Sequence, residues 1–61
     1  MPLGENLPRL MTVAEVAEYL RVSRVTIYTL LKHGDIPAFR VGTDWRFSSE
    51  AIDRWVHRID E

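Results

Sequence analysis

The stretch Thr12 to Lys32, TVAEVAEYLRVSRVTIYTLLK, limits this chain more than any other feature. It contains two helical periods separated by a turn too short for anything but a close helix pair. Thr12 and Glu15 match the S/T-x-x-E capping box, in which each side chain satisfies an amide of the first turn. Val13, Val16, Ala17 and Leu20 then recur at helical spacing and form one apolar face. Arg21-Val22-Ser23 is the turn. Val22 is apolar there, so it is expected to fill the space between the helices. Ser23 is a good N-cap for the second helix.

At 100° per residue, Arg24, Val25, Tyr28, Thr29 and Lys32 share an arc of about 140° on the second helix. Ile27, Leu30 and Leu31 lie on the other side, with Thr26 at the border. The second helix therefore has an apolar face and a face of basic and hydrogen-bonding groups. A short helix steadied by a partner helix, with such an outer face, has the physical form of a DNA-reading helix. Gly34 sits where a left-handed C-cap is wanted, and Pro37 forbids continuation.

Two strand-like runs follow. Ala38–Val41 and Trp45–Phe47 flank Gly42-Thr43-Asp44, read as a three-residue hairpin loop. Alternation then puts Phe39, Val41, Trp45 and Phe47 on one face. Pairing Val41 with Trp45 sets Arg40 across from Arg46, an unfavourable like-charge pair unless an anion uses it or both side chains splay into water. Ser48 or Ser49 caps a last helix whose Ile52, Trp55, Val56 and Ile59 form one buried stripe. Trp45, Phe47 and Trp55 read as core residues rather than base-stacking platforms. Residues 1–10 carry two prolines and no periodicity, and are expected to form a flexible arm, or a segment packed loosely through Leu7 and Leu10, before a single domain over 11–61. The expected fold class is mainly α, three helices with a small β-hairpin.

Sixty-one residues allow one domain with a small core and marginal stability. The absence of cysteine removes disulfides and thiolate metal sites. His33 and His57 have no ligand partners at metal-binding spacing, so neither a metal nor a cofactor is expected. His33 fits the C-terminal end of its helix, and His57 is expected to be exposed. No carboxylate pair, Cys/His pair or phosphate-cradling glycine loop stands at working spacing, so an enzyme is not expected. The opening residues resemble neither a signal peptide nor a membrane span, which predicts a soluble cytoplasmic protein.

Net charge is −1, but its distribution is uneven. Residues 21–46 carry Arg21, Arg24, Lys32, Arg40 and Arg46 against Asp35 and Asp44, a net of +3, while each flanking segment carries −2. Local field rather than total charge governs docking to a polyanion, although small domains often show some unevenness.

The pieces TVAEVAEYL, VSRVTIY, LLKHGDIPA, FRVG, WRF and IDRWV, in this order, resemble the excisionase-type DNA-binding domain. That family consists of small winged helix-turn-helix domains related to the N-terminal domain of MerR-type regulators. The resemblance covers about residues 10–56. It implies three helices plus a two-stranded wing, with the second helix in the major groove and the wing on flanking backbone or minor groove. Carried over by position, Ser23, Arg24, Thr26, Tyr28 and Lys32 match the recognition segment. Arg40 and Arg46 match basic wing positions. Asp44 departs from the basic or glycine-rich wing tip usual in the family.

The expected partner is double-stranded DNA. Arg24 suits base readout, because its guanidinium can take guanine O6 and N7 together. Val25 suits a thymine methyl, and Tyr28 and Thr29 a phosphate or base edge. Arg21, Lys32, Arg40 and Arg46 suit the backbone, as do the helix amides beside Ser23. Four such contacts predict a salt slope of roughly −3 to −5. Thr26 is expected to hold the turn. One module should bind weakly alone, so cooperative self-association or a partner protein is expected. The resemblance implies either a recombination directionality factor or a small transcription regulator. The rival reading is a protein-interaction module that docks a recombinase (integrase) or other partner through Glu15, Glu18, Glu50, Asp53, Asp60 and Glu61.

Overall fold

The computed structural model describes residues 9–60, and of Asp60 only the backbone. Residues 1–8 of the expected arm lie outside the described residues. The order of elements is β1 (Leu10–Met11), α1 (Val13–Leu20), α2 (Arg24–Lys32), β2 (Phe39–Val41), β3 (Asp44–Ser48) and α3 (Ser49–Asp60). Three helices and a small antiparallel sheet make a mainly helical domain with a β wing, as the sequence predicts.

Both expected N-caps form. The Thr12 hydroxyl accepts from the Glu15 amide at 3.1 Å, and Glu15 Oε1 accepts from the Thr12 amide at 2.9 Å. Ser23 Oγ accepts from the Thr26 amide at 3.2 Å. Both helices of the pair also end in the same way. The Val22 amide reaches the Ala17 carbonyl and the Arg21 amide the Glu18 carbonyl; Asp35 reaches Leu30 and Gly34 reaches Leu31. Each set is a Schellman motif with its left-handed residue at Arg21 (φ 62) or Gly34 (φ 70). Val22 is thereby placed as the last residue of the first motif. It is 40% exposed rather than wedged between the helices.

Four side chains are wholly buried: Val16 of α1, Ile27 of α2, Phe47 of β3 and Ile52 of α3. Each long element thus contributes one side chain to a common centre. Met11, Val13, Ala17 and Ile36 complete the core, with Leu20, Leu30, Leu31, Trp45, Trp55 and Val56 packed partly against it. Met11 and Ile36 lie outside any periodic run, and their burial comes from long-range packing.

The sheet corrects two expectations. It has three strands rather than a two-stranded wing, in the order β1-β3-β2. Leu10 pairs with Ser48 and Met11 with Phe47, and the Ser49 amide bonds the Arg9 carbonyl at 2.8 Å. The expected arm therefore passes into a strand at its last residue. The hairpin loop is Gly42-Thr43, two residues rather than three, and Val41 pairs with Asp44. Gly42 takes φ 66 at the first loop position, where a type II′ turn wants glycine. This one-residue change flips faces along the wing. Arg40 stands opposite Trp45, and Phe39 opposite Arg46. Phe39 and Val41 do not share the core face of Trp45 and Phe47, and they are 43% and 52% exposed.

Ser48 rather than Ser49 caps α3, accepting from the Ala51 amide at 3.3 Å, while Ser49 Oγ accepts from the Arg9 amide. Along the stripe Ile52 is buried and Trp55 and Val56 are half-buried, but Ile59 is 64% exposed. The last turn of α3 extends beyond the elements that cover its earlier turns.

One contact ties α1 to α3. The exposed Tyr19 hydroxyl donates to Asp53 Oδ1. This hydrogen bond, then the carboxylate charge, then slight desolvation raise the Tyr19 pKa above its ordinary value. A folded-state pKa above the unfolded one means the link stabilises the fold below about pH 10 and is lost as pH rises through the folded value. Denaturant midpoints should therefore fall above pH 10 in the wild type, with a smaller decline in Tyr19→Phe. Superimposable pH profiles would rule the link out as a contributor.

Candidate nucleic-acid interface

The helix pair α1–α2 packs through Ile27 on one side of α2, which leaves the opposite side bare. Arg24, Val25, Tyr28, Thr29 and Lys32 are all exposed, with Val25 at 73%. The expected split of faces is therefore present. Thr26 is exposed too, so the border position turns outward at the first turn of α2. Its Oγ1 lies 3.1 Å from Ser23 Oγ and its amide bonds the same oxygen, so it braces the cap. Thr29 Oγ1 donates to the Val25 carbonyl at 3.0 Å, so its hydroxyl proton is committed and an incoming group would meet it as an acceptor. Ser23 Oγ serves the Thr26 amide, while the amides of Arg24 and Val25, ahead of the first intrahelical bond, face out of the helix end.

Arg21 stands in the turn between the helices, exposed and left-handed. A side chain in that conformation costs roughly 1–2 kcal/mol. Arg21→Gly should raise stability by about 0.5–1 kcal/mol, since the relief exceeds the added unfolded-chain entropy. The same variant should bind DNA more weakly, with the salt slope shallower by about 0.9. Thermal melts beside salt titrations check both effects, and an unchanged slope would remove Arg21 from the backbone contacts.

The flipped register separates the two wing arginines, which are not cross-strand neighbours. Arg40 is exposed, with its guanidinium carbon 4.7 Å from the Trp45 ring centroid and its Nη1 3.4 Å from the Thr43 carbonyl. Stacking on an indole holds a guanidinium without neutralising it. Arg46 faces the other way. Its Nη1 donates to the Trp45 carbonyl at 2.8 Å, and Nη2 lies 3.9 Å from the Asp44 carboxylate. Asp44, which looked like a misplaced charge at the wing tip, thus offsets Arg46.

Among the described residues the ion pairs are Arg46–Asp44 and Arg54–Glu50. Arg21, Arg24, Lys32 and Arg40 belong to neither, so their charge is available to an external anion. On the acidic side, Glu15 caps α1, Asp53 takes the Tyr19 hydroxyl and Glu50 pairs with Arg54. Glu18 is exposed, and the side chains of Asp60 and Glu61 lie outside the described residues. Among the described residues no His, Asp or Glu group is arranged to hold a metal, and no helix is long and apolar enough to cross a membrane.

The chain is similar to two Mycobacterium tuberculosis proteins, "Putative DNA-binding protein MT0521" (strain CDC 1551 / Oshkosh) and "Putative DNA-binding protein Rv0500A" (strain ATCC 25618 / H37Rv). Each is 48% identical over 44 residues, which cover 72% of this chain and 56% of the relative. "Uncharacterized protein YvgK" of Bacillus subtilis (strain 168) is 43% identical over 44 residues, 72% of this chain and 14% of that protein. The matched stretch thus spans little more than half of the mycobacterial relatives. No solved structure matches the chain. A family model described as a helix-turn-helix domain matches residues 10–59, nearly the whole described region, and contains the stretch that carries the motif resemblance. The chain belongs to the helix-turn-helix domain family.

Proposed function

We propose that this chain is a non-enzymatic, sequence-preferring DNA-binding module whose α2 enters the major groove. The observation that carries this reading is the division of α2. Ile27 is wholly buried on one side, while Arg24, Val25, Tyr28 and Lys32 stand exposed on the other. The family membership and the names of the mycobacterial relatives support the same reading. Arg24 reads a guanine edge, Val25 and Tyr28 contact neighbouring groups, and Ser23 with the first amides of α2 receives a phosphate. Thr26 keeps that cap in place. Thr29 accepts rather than donates. Lys32, Arg21 and Arg40 hold the backbone. In cells the module acts as an excisionase-like directionality factor or as a small transcription regulator, and it gains affinity through copies on adjacent sites or a partner protein.

Random duplex DNA titrated by fluorescence anisotropy at several salt concentrations tests the reading. Three backbone contacts give an expected log–log slope of roughly −3. Absence of binding at the lowest salt would overturn it.

The wing contributes unequally in this reading. Arg40→Ala should make the slope shallower by about 0.9, because an uncommitted charge leaves the backbone. Arg46→Ala should leave the slope nearly unchanged and instead lower stability by about 0.5–1.5 kcal/mol through the lost hydrogen bond to Trp45. Paired salt titrations and melts of the two variants separate these outcomes, and equal slope changes would show that both arginines meet phosphate.

A further inference from the structure

A second surface shares no residue with the set assigned to DNA. The exit of α2, Gly34 to Pro37, and the outer face of α3 enclose an open groove of about 760 Å³. Its apolar lining includes Ile36, Pro37, Trp55 and Ile59; Arg54 and Arg58 stand along its α3 side, and the exposed Asp35 lies on the α2-exit side. The apolar stripe of α3 runs out into this groove. Ile52 is wholly buried, Trp55 half-buried, and Ile59 64% exposed. A large aliphatic side chain beside a tryptophan, left in water, is apolar area that an incoming apolar group can cover.

Two of the three charged lining residues are basic and both lie on α3, with the single carboxylate of Asp35 on the opposite side, so the α3 side selects the occupant. Arg54 and Arg58 are one helical turn apart, so both guanidinium groups lie on one side of the apolar floor. Arg54 meets Glu50 at 3.6 Å, with the two side chains 71% and 63% exposed. Such an exposed pair is worth little and exchanges readily for a better carboxylate. Arg58 is in no ion pair among the described residues. A nucleic-acid backbone would use the arginines but leave the Trp55–Ile59 floor uncovered. An amphipathic acidic peptide uses both, laying apolar side chains on the floor and carboxylates on the guanidinium forks.

We propose that this groove docks an acidic, amphipathic peptide segment of a partner protein, with two large apolar residues one helical turn apart flanked by Asp or Glu. The site is independent of the DNA reading, and a chain that failed to bind DNA would still carry it. It differs from docking through an acidic surface, since here the partner supplies the negative charge.

The test selects random dodecapeptides displayed on phage against the intact 61-residue chain. Enriched peptides should combine Asp or Glu with Leu, Ile, Phe or Trp. A synthetic copy of the strongest should shift the amides of Gly34–Ile36 and Ala51–Ile59 in heteronuclear spectra. Arg54→Glu with Arg58→Glu should weaken that peptide at least tenfold and leave the affinity for random duplex DNA within twofold. Ile59→Asp, at an exposed position that spares the fold, should weaken it comparably. Four outcomes would overturn the proposal: no enriched class, enrichment of basic or uncharged peptides, shifts confined to another surface, or self-association of the chain through these residues. Loss of DNA affinity in the arginine variant would reassign the groove to the nucleic-acid backbone.

Discussion

Phe47→Ala should leave the domain largely unfolded at room temperature. Phe47 is wholly buried, pairs with Met11 across the sheet, and belongs to the cluster that joins the elements. Truncating a buried phenylalanine costs about 3–5 kcal/mol in lost transfer and residual cavity. A chain of this size has a total stability of roughly 3–9 kcal/mol, toward the low end for so small a core. The two quantities are comparable, so the folded state should lose most of its population. Far-ultraviolet circular dichroism and a urea melt give the readout. Phe47→Leu keeps most of the volume and should retain a cooperative transition at a lower midpoint. A Phe47→Ala protein that melts within a few degrees of wild type would mean that the four-way centre is not what holds the elements together.

Arg24→Ala and Lys32→Ala should both weaken DNA binding, but in different ways. Arg24 stands in the first turn of α2, where a recognition helix presents its base-reading residues. Loss of a bidentate guanine contact should cost about 1–3 kcal/mol on a selected sequence and relax preference at that base. Arg24→Lys should not restore it, since an ammonium lacks the planar fork. Lys32 lies in the last turn and should act on phosphate alone. Lys32→Ala should therefore weaken all sequences alike and make the salt slope shallower by about 0.9. Both positions are exposed, so melts should stay within about 0.5 kcal/mol of wild type. Competition titrations with selected and scrambled duplexes distinguish the two patterns. An Arg24→Ala protein that loses affinity equally for both duplexes would place Arg24 on the backbone instead.

The rule of a hydrophobic stripe worked on α1 and α2 and partly failed on α3. In the helix pair Val13, Val16, Ala17 and Ile27 are buried where periodicity puts them, and Leu20, Leu30 and Leu31 are half-buried on the same stripes. The same period on α3 ends in an exposed Ile59, because periodicity states which residues share a face and not how far the covering elements reach. Exposed positions on α2 could be read for the same local reason that buried ones could. What could not be read was which wing arginine is committed elsewhere.

The helices of this protein were determined by the sequence by itself. Their starts rest on side chains three residues from the amides they satisfy, Thr12 with Glu15 and Ser23 with Thr26. The end of α2 rests on a glycine tolerant of positive φ, and all of these are short-range contacts that no distant residue needs to arbitrate. The strands were decided by the tertiary structure. Phe-Arg-Val-Gly-Thr-Asp-Trp-Arg-Phe can close through two or three loop residues, and alternation on each side looks the same either way. Pairing Val41 with Asp44 replaces an Arg40–Arg46 repulsion with an Arg40–Trp45 stack. Leu10–Met11 is too short to show any period and becomes a strand only because β3 offers it an edge. Strand pairing joins groups distant in sequence, so register, and with it the direction of each wing arginine, follows from the assembled core and not from any local run of residues.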